Sequence, residues 1–324
     1  MRVFVAGATG VLGRRIVPLL VENGHEVVGM TRSPEKAGGL RAAGAEPVVA
    51  DALDAGAVMA AVRAARPEVV VHELTDLSSI GGMRRLARAF AGTNRLRTEG
   101  TDHLVAAARA AGARRLVAQS FGGWPYAREG AAVKTEADPL DPDPPGPFRS
   151  LLEAIVHLES AVLGAQGLEG VVLRYGGLYG PGTSIAPGGE HSELVRRRRF
   201  PVVGNGAGVW SFVHVDDAAT ATVAAIERGA PGVYNVVDDE PAAVAEWLPE
   251  LAAALGAKPP MRVPAWVGRL LAGEYVVVMM TEVRGASNAK AKAELGWHPA
   301  VTSWRRGFHE LFEPRPVSRT ASSR

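Results

Sequence analysis

Apolar residues come in short runs separated by amphipathic stretches. Val3–Ala6 is an unbroken apolar run that predicts a buried strand. From Val11 to Asn23 the apolar positions take helical spacing, and Asn23-Gly24 ends the helix. Glu26–Met30 predicts a second strand, Pro34–Ala43 a helix closed by Gly44, and Pro47–Ala50 a third strand. Ala55–Ala65 predicts a helix stopped before Pro67, and Val69–His72 a fourth strand. An arginine-rich helical stretch is expected from Arg84 to Ala111, followed by a fifth strand at Leu116–Gln119. This alternation implies a parallel sheet with helices on both faces.

Residues 122–150 interrupt the rhythm. The stretch from Asp138 to Pro147 carries five prolines and is expected to be neither helix nor central strand. Leu151–Leu163 predicts an amphipathic helix and Gly170–Arg174 a strand, before a glycine-rich turn at Tyr175–Gly182. Beyond it the pattern is mixed. The expected division is a sheet domain of residues 1–175 plus returning segments 212–236, a smaller lobe of 176–211 and 237–312, and a flexible tail of 313–324.

Composition narrows the function classes. The 324 residues are 47% hydrophobic, enough for a sizeable core, and the net charge of +2 gives no case for nucleic acid. The absence of cysteine excludes disulfides, thiolate metal sites and cysteine nucleophiles, and fits a reducing cytoplasm. No run reaches the roughly 18 apolar residues of a membrane span, and no signal peptide is read at the start, so a cytoplasmic protein is expected.

The candidate chemistry begins at Gly7-Ala8-Thr9-Gly10-Val11-Leu12-Gly13, between the first strand and the first helix. Gly7 permits a tight bend, Gly10 lets backbone approach a pyrophosphate, and Gly13 lets helix pack close on strand. Thr9 adds a hydroxyl, and Val11 and Leu12 stand at the helix start, so the turn predicts a dinucleotide. The second strand ends in Arg32 rather than an acid, which suits a 2′-phosphate and favours NADP over NAD. Arg32 could instead be a solvated residue opening the next helix. Asp51 is a candidate for the adenine amino group or for a turn or cap, and Leu74, past the fourth strand, joins the cofactor candidates.

These residues resemble the extended short-chain dehydrogenase/reductase family, the NAD-dependent epimerase/dehydratase group. The glycine turn resembles its opening motif, Asp51-Ala52-Leu53-Asp54 its adenine-side acidic turn, and Arg174 to Gly182 its Arg-x-x-x-x-Tyr-Gly-Pro segment. Trp210 to Asp217 is similar to its Phe-Ile-His-Val-Asp-Asp run, and Glu99 to Leu104 to its Asn-Val-x-Gly-Thr helix, with Arg97 where the asparagine is usual. The resemblance implies a Rossmann-type doubly wound parallel sheet with a smaller C-terminal substrate lobe. It implies an NAD(P)-dependent oxidoreductase, epimerase or dehydratase acting on a small polar metabolite, with a homodimer allowed.

The departure is at the chemistry. No Tyr-x-x-x-Lys occurs, and counting back from Glu159 places Leu151 and Ile155 at those positions. The family's tyrosine moves a proton at a carbinol oxygen, while its lysine lowers the tyrosine pKa and holds the ribose. Ser120 matches the family's Ser or Thr. Tyr126 and Lys134 are the candidate substitutes, and Trp124 and Tyr179 the candidate substrate contacts. Arg149 and Glu153 predict a helix-surface pair, His214 a structural residue and Asp216 a helix cap, with no metal expected. Loss of the pair also allows a cofactor-bound protein without net redox turnover: an isomerase, cyclase, lyase or nucleotide sensor.

Overall fold

The computed structural model describes residues 1–76 and 90–313. The expected helix start at Arg84 and residues 314–324 of the expected tail lie outside them. The centre is a seven-stranded sheet of β1 (Arg2–Ala6), β2 (Glu26–Thr31), β3 (Glu46–Val49), β4 (Val69–His72), β5 (Arg115–Phe121), β6 (Glu169–Tyr175) and β7 (Gly232–Val236). All pairings are parallel, in the order β3-β2-β1-β4-β5-β6-β7. The strand order reverses at β1 and β4, and open α/β sheets bind ligands outside the strand ends at such a point.

The helices are α1 (Gly13–Glu22), α2 (Ala37–Ala42), α3 (Ala55–Ala65), α4 (Ala91–Arg95), a π-helical turn (Leu96–Gly100), α5 (Thr101–Ala110), α6 (Gly146–Leu163) and α7 (Val215–Glu227). The period-two alternation of β1 separates two cores. Val3 and Val5 pack with Ile16 and Leu20 of α1 and Ala221 and Ile226 of α7. Phe4 and Ala6 pack with Val58 of α3, Leu104 of α5 and Leu158 of α6. Each such large apolar side chain stabilises by roughly 1.5–3 kcal/mol on burial.

Three expectations shift. Helix α6 begins at Gly146, not Leu151, because Pro147 sits in its first turn, where a missing N–H costs nothing. Phe212–His214 pairs with Gly177–Tyr179 instead of the central sheet, although α7 does return to it. Ala291, Leu295 and Trp297, read as lobe, lie in the α1–α7 core. A third core of Phe212, Trp247, Trp304 and Phe308 organises the rest of the second half. No described helix is long and apolar enough to cross a membrane.

Candidate active site

The glycine turn closes through the Gly10 amide, which donates to the Gly7 carbonyl at 2.9 Å. Gly7 has φ +91°, and a Cβ there would lie 2.5 Å from the Glu73 carbonyl oxygen at the end of β4. A Cβ on Gly13 would lie 2.3 Å from the Gly7 carbonyl oxygen. Turn, strand end and helix therefore share a space only glycine leaves open. Gly10 is exposed, and the amides of Val11 and Leu12 have no backbone acceptor among the described residues. The first turn of α1 carries no acid, so its positive end faces the cradle uncompensated. These groups fit a dinucleotide pyrophosphate. Arg15 holds the cradle from the side, donating to Val11 O at 2.8 Å, Pro181 O at 2.7 Å and Asp216 Oδ1 at 2.6 Å.

At the adenosine end, the Thr9 and Thr31 hydroxyls lie 3.2 Å apart, and Thr31 Oγ1 also accepts from the Ser33 amide. The Arg32 side chain is 65% exposed and meets Asp76 at 3.3 Å. Asp51 Oδ1 accepts from the Leu53 amide at 2.9 Å, and Asp54 rather than Asp51 caps α3. The Leu74 amide donates to His72 Nδ1, and the Leu74 side chain packs against the α3–α5 core. Burial holds His72 down at about 4, so it is neutral.

At the far end the structure departs from expectation. Ser120 Oγ donates to Glu159 Oε1 at 2.7 Å, and Arg174 forks onto both Glu159 oxygens at 2.8 and 2.6 Å. Arg174 Nη1 also donates to the Tyr126 hydroxyl at 3.0 Å, which donates to Asn235 Oδ1 at 2.6 Å. Ser120 is 1% and Tyr126 0% exposed. The two candidates are brought together in a buried brace between β5, α6, β6 and β7. Burial raises the Tyr126 phenol above its ordinary value, which opposes proton transfer near neutral pH. Lys134 stands apart, donating to Glu129 O at 2.6 Å and facing Asp138 at 3.4 Å.

Leu151 and Ile155 are buried in an apolar cluster with Trp124, Phe148, Val278 and Met279. Trp124 stacks on Phe148 with centroids 4.0 Å apart, and Phe148 meets Tyr275 edge-on at 4.1 Å. Trp124 thus packs in the same buried cluster as Leu151 and Ile155. Tyr179 does not; it is buried in the second-half core against Phe308 and His214. Arg149 pairs with Asp143 instead of Glu153, and His214, not Asp216, caps α7. Among the described residues no group of three or more His, Cys, Asp or Glu could hold a metal ion.

One group escaped the sequence reading. Glu73 directly follows β4, with its carboxyl buried beside the Tyr175 hydroxyl at 3.2 Å and its second oxygen unpartnered among the described residues. Burial raises it to about 8, so it is largely protonated at neutral pH. The available signal was an acid at the switch-point strand end, directly after an apolar strand.

The model of the NAD dependent epimerase/dehydratase family matches residues 3–236. A 3-diazoavenalumate denitrifying reductase from a Streptomyces species is 49% identical over 95% of this chain and 99% of that protein. A 2-alkyl-3-oxoalkanoate reductase from Stenotrophomonas maltophilia is 31% identical over 79% of this chain and 76% of that protein. Among solved structures, UDP-glucose 4-epimerase from Thermotoga maritima with UDP-glucose superimposes with a TM-score of 0.72 at 25% identity, covering 97% and 98% of the two chains. The Thermus thermophilus UDP-glucose 4-epimerase complex with NAD gives 0.71 at 27% identity, covering 96% and 98%.

Proposed function

The chain belongs to the NAD-dependent epimerase/dehydratase family yet holds Leu151 and Ile155 where the proton-transfer pair is expected, and from this we propose an NAD(P)H-dependent reductase whose substrate needs no protein acid. The class favoured is a carboxylate that bears an arenediazonium group, R–N2+. The observation that carries the reading is the buried apolar cluster of Leu151, Ile155, Trp124 and Phe148 at the positions expected for the proton-transfer pair.

The chemistry follows from charge. Hydride added to a carbonyl leaves an alkoxide that must be protonated, which is the usual tyrosine's task. Hydride added to the terminal nitrogen of R–N2+ leaves neutral R–N=NH. Loss of N2 with transfer of that hydrogen to carbon gives R–H, and no proton is drawn from the protein. A reduced nicotinamide, when bound, supplies the hydride. The glycine turn binds the pyrophosphate, and the Trp124–Phe148 cluster excludes water. The 49% identical relative named a diazo denitrifying reductase supports this reading.

NADP is the preferred form of the cofactor. Arg32 is exposed, with Asp76 as its counter-ion, and Arg14 and Lys36 line a cavity of about 340 Å³ that also borders Thr9. Arg32, Arg14 and Lys36, set beside the carboxylates of Asp76 and Glu35, supply the cations for a 2′-phosphate.

The test supplies NADPH and an arenediazonium carboxylate to the purified chain, against a protein-free control. One N2 released per NADPH oxidised, with R–H as product, is the expected result. NADPH oxidation by 3-oxo acids or keto-sugars without N2 release from the diazonium would overturn it in favour of carbonyl reduction.

A further inference from the structure

The helix Ala265–Ala272 turns its small residues inward and its large ones outward. Ala265 and Ala272 pack on the second-half core, and a Cβ on Gly268 would lie 2.4 Å from the Val203 side chain. At about 100° per residue, Trp266 and Leu270 stand about 160° round the axis from Gly268, at the outward apex. Trp266 is 66%, Leu270 76% and Leu271 62% exposed, and Met261, just before the helix, is 46% exposed. Single exposed apolar residues need no explanation, but a contiguous set rimmed by charge marks an interaction site.

The rim is basic. The strand Arg262–Val263 pairs with Val202–Val203, and the Val202 amide donates to the Met261 carbonyl at 2.8 Å. Arg198 donates to the Pro259 carbonyl at 3.2 Å, which brings the run Arg196–Arg199 beside Met261. All four arginines, Lys258 and Arg262 are exposed, and no acid stands in 196–199 or 258–262. Glu193 pairs with Arg196 and Arg197, and on the helix itself Arg269 pairs with Glu274. Among the described residues no ion pair engages Arg198, Arg199, Lys258 or Arg262.

Charge and area select the occupant. The four apolar side chains expose on the order of 500 Å², short of the roughly 800 Å² per partner of a stable dimer. A second copy would have to supply the rest by burying unpaired arginines, which is costly. An anionic bilayer suits both parts of the surface. Its phosphates neutralise the cations, and its interface takes a tryptophan and leucines at shallow depth.

We propose that the helix Ala265–Ala272 and its basic rim dock this protein on the surface of an anionic lipid bilayer, with Trp266, Leu270, Leu271 and Met261 entering the interface and the arginines meeting lipid phosphates. The helix lies on the membrane and does not cross it. It packs on the helix Glu274–Thr281, whose Val278 and Met279 join the Leu151 and Ile155 cluster, so one helix separates that cluster from the bilayer. The proposal depends neither on the cofactor nor on the diazonium substrate.

The test floats the full chain with vesicles of phosphatidylcholine, alone or with about 30% phosphatidylglycerol. Binding to the anionic vesicles is expected to be at least about tenfold tighter than to the neutral ones, and to weaken with added salt. Two double variants separate the parts of the surface: Trp266→Ser with Leu270→Ser, and Arg198→Gln with Arg199→Gln. Each is expected to weaken vesicle binding about tenfold with melting temperature and dinucleotide affinity unchanged, since all four side chains are exposed. Equal binding to both vesicle types, binding to neither, or unchanged binding in either variant overturns the proposal. So does light scattering that shows a dimer which Trp266→Ser with Leu270→Ser converts to a monomer, because the face then belongs to a second copy.

Discussion

A single methyl group at Gly13 is enough to test the cradle. Its Cβ would sit 2.3 Å from the Gly7 carbonyl oxygen, with backbone on both sides and no flexible side chain to yield. Gly13→Ala is expected to weaken dinucleotide binding at least about tenfold, roughly 1.4 kcal/mol, in a fluorescence titration. Arg32→Ala should lower NADPH affinity by a similar factor and leave NADH nearly unchanged. Asp76→Asn should do the reverse, since it frees Arg32 from the carboxylate 3.3 Å away; equal effects on both cofactors would remove the 2′-phosphate role. The glycines were legible because their spacing and their place between strand and helix carry the signal. Tyr126 and Ser120 were not. Residue order along β5 does not say which face a side chain takes, and the Tyr126 hydroxyl is satisfied by Asn235, 109 residues away. Lys134 failed for a similar reason, its ammonium being taken by its own loop.

Among the elements, α3 and β4 fall at the expected residues because local chemistry sets their bounds: the Asp54 carboxylate caps α3, and Pro67 separates the two. The start of α6 was missed because proline both ends helices and opens them. The end of β4 gives a prediction at this scale. In the unfolded chain Glu73 ionises near 4.5, whereas in the folded chain it holds its proton to about 8. Between those values the unfolded state sheds a proton that the folded state keeps, so this contribution is whole below 4.5 and is lost as pH rises towards 8. His72 works in the opposite sense, losing stability as pH falls from 6.5 towards about 4. Glu73→Gln removes the first slope. Its melting temperature relative to wild type should therefore climb from about pH 5 to about pH 8, and a constant offset would mean that Glu73 is already ionised in the native protein.

For the molecule as a whole, the parallel sheet with helices on both faces was readable from the apolar runs and their alternation with helical stretches, whereas the order of the strands was not. The second-half lobe was less readable. Its aromatic core joins Phe212, Trp247, Trp304 and Phe308 across long separations that no local period encodes. Arg15 fastens the two halves, and Arg15→Ala is expected to lower dinucleotide affinity a few-fold with a small drop in melting temperature. Exposed ion pairs contribute little by themselves, so the loss should follow the freed cradle more than the lost charge pair. The same residue has a consequence for how the protein is made. Its acceptors at Pro181 and Asp216 lie 166 and 201 residues downstream, and α7, which covers α1, arrives with the second. At about 5–20 residues per second the ribosome exposes the glycine turn roughly 10–40 seconds before its clamp exists. A nascent or truncated chain ending near residue 175 would then carry all three glycines and still fail to bind the dinucleotide, so that the first site to be synthesised is among the last to work.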